Sequence, residues 1–261
     1  RWTVGGAAGA VIGSGRAVRK LPEMRPAGLW LLTPPDAAIA PVAAALAASG
    51  RVRAGDIVFH CSGSQPSSLL APLAAAGAYV ASLHPLKSFA DPAVAAQSFA
   101  GTWCTAEGDA AALAVLKPLF EGLGAQVATI DASGKTLYHA ASVLVCNDLT
   151  ALMEAGLQLY EKAGIDRATA QRMMEPLVRE TLDNVFALGT VRALTGPVAR
   201  GDAEVVQRQL AALENVDPRI AAAYRALNMI ALELAQVQGG APQAALDQVG
   251  RVLQRHDPQG S

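Results

Sequence analysis

Four histidines are the groups in this chain best suited to move a proton near neutral pH. Two of them stand where chemistry is done. His84, in "SLHPLKSF" (82–89), closes an apolar run and is followed by a proline. His139, in "YHAASVLVCNDLTAL" (138–152), shares a helical stripe with Asn147, because positions 139, 143 and 147 fall nearly in one line. The stripe is otherwise Ala, Val and Leu. Polar side chains in such surroundings need partners or have a task. The chemistry they suit is proton transfer at a substrate oxygen, with the amide of Asn147 holding that oxygen. Plainer readings stand beside these: His84 bonding a loop carbonyl, and a His139–Asn147 pair serving helix packing.

Three further stretches offer polar groups at the ends of apolar runs. "LLTPPDAAI" (31–39) puts Thr33, Pro34 and Pro35 at a strand end, where a rigid turn can lie along a ribose or a nicotinamide; Pro35 and Asp36 can equally just start a helix. "HCSGS" (60–64) offers the hydroxyls of Ser62 and Ser64 and the unhindered backbone of Gly63, or is simply a polar turn. Cys61 lacks a basic neighbour and reads as a buried thiol. "LTGPVARGD" (194–202) is a shaped loop, with glycines suited to positive φ and a proline of fixed φ. Asp202 is expected to cap the next helix. Thr195 and Arg200 remain for a substrate carboxylate, with Lys87 as a second cation. Arg200 can instead pair with Asp202 or Glu204. His256 sits in a polar tail and carries no assignment.

These positions need a scaffold, and the first half of the chain supplies one. Apolar runs at 1–5, 28–33, 56–62, 78–83, 101–106 and 125–130 read as strands, several covered on both faces. Helices are expected at 36–49, 66–76 and 109–122, with Asp36 and Asp109 as caps and Gly50 and Gly77 as stops. The alternation predicts an α/β fold, a Rossmann-like mostly parallel sheet over residues 1–133. Residues 134–261 read as an all-helical domain for substrate and dimerisation, with helices at 134–163, 166–188, 202–213, 217–238 and 243–255. The nearest Gly-rich phosphate fingerprint, "GSGRAV" (13–18), ends in Val18 and is followed by Arg19-Lys20-Leu21-Pro22, so it reads as a decoy. The chain opens on Arg1, so a true Gly-rich loop, if there is one, is expected upstream; its presence favours an enzyme and its absence a non-catalytic protein.

Composition narrows the partners. The 261 residues are 52% hydrophobic and 16% charged, with a formal net charge of -1. No basic run or basic helix face appears, which argues against nucleic acid and against an anionic membrane. No unbroken apolar run reaches 18 residues, so no membrane span is expected. Three separated cysteines without a CxxC pair fit reduced cytoplasmic thiols and no metal site. The Ala- and Leu-rich helical half is expected to form a homodimer around a small-molecule site.

"HCSGS", "SLHPLKSF", "EGD" (107–109), "YHAASVLVCN" and "LTGPVARGD", in this order, resemble the Rossmann-like NADP oxidoreductase family with a helical C-terminal domain of unknown function. The resemblance spans about residues 28–255. It implies an NADP- or NAD-dependent oxidoreductase but no particular substrate. More distantly, "NDLTAL" (147–152) is similar to a stretch of ketopantoate reductases, whose catalytic lysine falls at the position of His139. An Asn of that family is Val143 here. "HPL" (84–86) is similar to the segment of prephenate dehydrogenases whose histidine assists oxidation of a hydroxyl, which implies the same for His84. The replacement of lysine by His139 keeps a rival reading open: a non-catalytic nucleotide- or metabolite-binding protein of the same fold.

Overall fold

The structure is a computed structural model. It describes residues 18–254 except Arg19 and Ala90. The strand expected at 1–5, the "GSGRAV" stretch up to Ala17 and His256 lie outside the described residues.

Two compact units divide the chain, one running to Thr150 and the other from Ala151. The expected boundary at 133/134 marks the end of the strands; the compact units part later, inside a long helix. The described residues of the first unit form five strands in sequential order: β1 (Leu29–Leu32), β2 (Ile57–His60), β3 (Tyr79–Pro85), β4 (Trp103–Gly108) and β5 (Gln126–Thr129). The pairs β1–β2, β2–β3 and β4–β5 are parallel, and β3–β4 is antiparallel. The sheet is thus mostly parallel, as expected, with one reversal. Between β3 and β4 the described residues form one short helix, α3 (Pro92–Gln97), which sequence reading missed.

The other helices of this unit are α1 (Ile39–Ala48), α2 (Ala71–Ala75), α4 (Ala110–Glu121) and the start of α5 (Lys135–Lys162). One sheet face buries Trp30, Leu32, Val58 and Val80 with Ile39, Val42 and Leu46 of α1 and Leu73 of α2. The opposite face buries Phe59, Ala81, Leu83, Cys104 and Ala106 against Leu116 and Phe120 of α4. β2 and β3 therefore alternate between two cores, which explains their unbroken apolar runs. Neither expected aspartate cap forms on this unit. Asp36 opens a 3-10 turn and spends its carboxylate on two serines, while Asp109 accepts from the Val80 N–H at 2.7 Å.

The second unit is helical: the end of α5, then α6 (Arg167–Leu188), α7 (Thr190–Ala193), α8 (Gly196–Ala199), α9 (Ala203–Val216), α10 (Pro218–Gln238) and α11 (Gln243–Gln254). Val206 and Leu210 of α9, Leu232 and Ala235 of α10, and Leu246 and Val249 of α11 form its main core. Asp166 and Asp217 cap their helices by accepting from Thr169 N and Arg219 N. The "LTGPVARGD" loop holds one short helix, α8, just after α7, with Gly196 and Gly201 at φ of +90° and +72°.

Helix α5 corrects one expectation. The stretch Ala132–Lys162 has a window of mean hydropathy 1.3, so by length and composition it could cross a membrane. Scattered charges such as Asp148 and Glu154 break every uninterrupted run without lowering that average. Most of the window is exposed, including Leu137, Leu144 and Val145.

Candidate functional site: a histidine cleft at the carboxyl edge of the sheet

The carboxyl ends of β1, β2 and β3 lie side by side, because Leu32 pairs with His60 and His60 with Ser82. Along one face the residues change character toward that edge: Val58 gives way to His60, and Val80 to Ser82 and His84. On the neighbouring antiparallel strand Glu107 lies opposite Ser82 and Thr105 opposite His84. This face therefore ends in a buried polar row. His60 and Ser82 have no exposure, and Glu107 only 2%.

The first turn of α5 lies over that row. Lys135 is buried and donates to Ser82 Oγ, and its Nζ stands 3.6 Å from Glu107 Oε1. Glu107 also accepts from Ser67 N and Ser67 Oγ, both at 2.7 Å. One turn along, Tyr138 OH bonds His84 Nδ1 at 3.0 Å. The rings of His84 and His139 meet edge to face, with centroids 6.1 Å apart.

Gly63 explains how the two imidazoles come so near. A Cβ at this position would lie 2.6 Å from His139 Nδ1 and 2.9 Å from His84 Nε2. Both nitrogens thus converge over the Gly63 backbone, in space that any other residue would fill. His84 Nε2 is left free by the Tyr138 bond. His139 Nδ1 is buried and has no hydrogen-bond partner, and Thr105 Oγ1 is in the same condition. Buried polar atoms without partners mark places where a ligand or water belongs. An open cleft of about 690 Å³ starts here, lined by His84, Lys87, Tyr138, His139, Val143 and Asn147 among others.

Burial pushes the His84 imidazole down to about 4, helped by the charge of Lys135 and by His139. His84 is neutral at pH 7. His60 is also lowered, chiefly by burial, against a bond to the Pro66 carbonyl; its Nδ1 accepts from Ser62 N at 3.2 Å. Lys135 is lowered by burial as well, with the carboxylate of Glu107 opposing.

His84, His139, Asn147 and Lys87 are thus gathered in one cleft. Lys87 spends one bond on the Ser98 carbonyl at 2.9 Å. The remaining candidates lie elsewhere. Thr33, Pro34 and Pro35 line a separate apolar pocket of about 470 Å³, with Trp30, Leu32 and Val42, beside β1 and α1. Ser62 was expected to face a ligand, but its groups are engaged inside the turn. Its hydroxyl donates to Asp36 at 2.8 Å and accepts from Gln65 N, while its own N–H goes to His60. Thr195 and Arg200 belong to the second unit, where both are exposed. Arg200 donates twice to one oxygen of Asp202, at 3.1 and 3.0 Å. That pairing uses the carboxylate of Asp202, which caps no helix N–H, contrary to expectation. Cys61 is pushed up to about 12 by burial, so the thiol is inert as read. No metal-ligating cluster occurs among the described residues.

Sequence reading missed Lys135, Glu107, Ser82 and Tyr138. Lysine and glutamate are ordinarily surface residues. The one available signal was their setting: Glu107 inside an apolar strand, and Lys135 opening an apolar helix.

Comparison with known proteins bears on the fold. A protein from Thermotoga maritima is 27% identical, with a TM-score of 0.67 over 83% of this chain and 81% of that one. A "putative NADP oxidoreductase" from Bacteroides fragilis is 23% identical, with a TM-score of 0.63 over 81% and 78%. A "putative oxidoreductase" from Mycobacterium avium is 17% identical, with a TM-score of 0.55 over 95% and 89%. No curated protein matches the chain. Among family models, residues 13–85 match the Rossmann-like domain and residues 102–230 match the domain of unknown function DUF2520. The chain is therefore similar to a Rossmann-like domain in its first part and to a DUF2520 domain in its second.

Proposed function

We propose that the protein is a nicotinamide-dependent oxidoreductase, using NADP or NAD, that acts on a small carbonyl or hydroxy compound in the histidine cleft. The observation that carries this is the convergence of His84 Nε2 and His139 Nδ1 over Gly63, at the carboxyl edge of a Rossmann-like sheet. That edge is where such sheets take their ligands. The fold shared with the Bacteroides fragilis "putative NADP oxidoreductase" supports the cofactor class.

The nicotinamide, when bound, supplies or accepts the hydride. The protein's part is the proton and the geometry. A substrate oxygen over Gly63 would sit between the two imidazoles. His139 gives or takes its proton, and neutral His84 donates a hydrogen bond through Nε2 if Tyr138 donates to Nδ1. Asn147 holds the same oxygen from further along the helix. Thr33, Pro34 and Pro35 bound an apolar pocket suited to a ring of the cofactor. Lys87 is the cation within the cleft for a substrate carboxylate; Thr195 and Arg200 enter this reading only if Arg200 leaves Asp202. We further place the protein in the cytoplasm, as a homodimer joined through the apolar surfaces of its helices.

The test is a panel of small keto and hydroxy acids with NADPH or NADH, followed by absorbance. Once a substrate is found, His139→Ala is expected to lower turnover by roughly 10²–10⁴-fold. Unchanged turnover would pass the proton role to His84.

A further inference from the structure

Lys135 takes no part in the chemistry just described, yet it is a fully buried lysine at the foot of the cleft. We propose that Lys135 is the positioning residue of the histidine cleft: paired with Glu107, it seats the first turn of α5 on β3 and β4 so that Tyr138 and His139 meet His84. The inference refines the role of the same site and rests on the oxidoreductase reading only for its catalytic meaning.

The geometry carries it. Lys135 opens α5, and residues three and four further on lie on the same helix face, which are Tyr138 and His139. Its ammonium reaches two strands at once, Ser82 on β3 and Glu107 on β4. Ser82 stands two residues before His84 and so on the same face of β3. Ser82 Oγ also reaches the carbonyl of Ser62, beside Gly63, at 3.3 Å. Glu107 is held in turn by Ser67. One side chain therefore ties together the strand that bears His84, the turn that bears Gly63 and the helix that bears His139. A cation at a helix N-terminus opposes the helix dipole, so the pairing with Glu107 has to hold it there.

Around His84 stand Tyr138, His139 and Lys135 from α5, Thr105 opposite it on β4, and Asp36 from the turn before α1. Burial and the charge of Lys135 both disfavour protonated His84, and Asp36 opposes them.

The test reads the imidazoles directly by NMR titration of the histidine ring protons and needs neither cofactor nor substrate. Failure of the protein to bind a nicotinamide would therefore leave it intact. Lys135→Met alone strands Glu107 and can prevent folding, so the working variant is Lys135→Met with Glu107→Gln, which removes both charges and keeps an acceptor for Ser67. In the unaltered protein His84 titrates near 4. In the double variant its midpoint should rise by roughly half a unit to one unit, a three- to tenfold change in proton affinity, and the ring shifts of His139 should move with it. A folded double variant in which the His84 midpoint stays near 4 and the His139 ring signals do not move would overturn the proposal.

Discussion

Gly63→Ala is the sharpest single-residue probe of the cleft. The new methyl would meet His139 Nδ1 at 2.6 Å and two atoms of His84 at 2.9 Å, all of them at the ends of side chains. The rings can swing away, so the protein should stay folded while losing their convergence. Turnover on a found substrate should drop at least about tenfold, with thermal stability changed little; normal turnover would mean that the convergence is not used. Sequence reading named Gly63, but as a donor of backbone N–H groups. Its actual role is absence of a side chain, which becomes visible only when the neighbours are known. His84 and His139 were legible because a titratable group at a strand end or on an apolar helical stripe stands out against its surroundings. Arg200 was legible as an ion-pairing residue with Asp202 or Glu204 as its partner, and Asp202 is the one it takes. Its pair with Asp202 is exposed, and Arg200→Lys should change stability by about 1 kcal/mol or less.

At the level of elements, the polar row across β2, β3 and β4 governs how stability responds to change. Glu107 is 2% exposed and carries Lys135 and Ser67. Glu107→Ala should cost about 3–5 kcal/mol, because it leaves a buried ammonium unpaired. Urea unfolding would show this, and a loss under 1 kcal/mol would contradict it. The same row sets the acid limit. His84 titrates near 4 in the folded protein and near 6.5 once unfolded, so between those values the unfolded chain binds more protons. Stability is fully present above pH 6.5 and should decline as pH falls toward 4, with His60 acting in the same direction. Equal urea midpoints at pH 7 and pH 5 would contradict this. Most strands and helices were legible because hydrophobic periodicity reports burial. The caps were less so: Asp36, Asp109 and Asp202 each found a stronger partner than a helix N–H. Caps are local, but the serines and the strand that claimed Asp36 and Asp109 are brought in by the fold, whereas Arg200 is a near neighbour of Asp202 that competes with the cap.

On the scale of the molecule, two features remain to be tied to function: the exposed apolar helix surfaces and the cofactor. Leu137, Leu144 and Val145 on α5 and Phe186 on α6 are 63–85% exposed. A second copy covering such faces over roughly 1,600 Å² would account for them. Light scattering at micromolar concentration should give a dimer, and a monomer would remove that part of the account. The order of strands then helices was legible from the change of period near residue 133, whereas the division of the units inside α5 was not, since a continuous helix carries no mark of it. The central claim is nicotinamide binding beside the histidine cleft. Titrating the protein into NADPH, and separately NADH, while following nicotinamide fluorescence tests it most directly. The account predicts a saturable change with at least one of them, with the nicotinamide end near His84 and His139, so that the His139→Trp variant quenches the bound cofactor more strongly than the unaltered protein does. No saturable change with either cofactor would contradict it and leave the fold with another ligand.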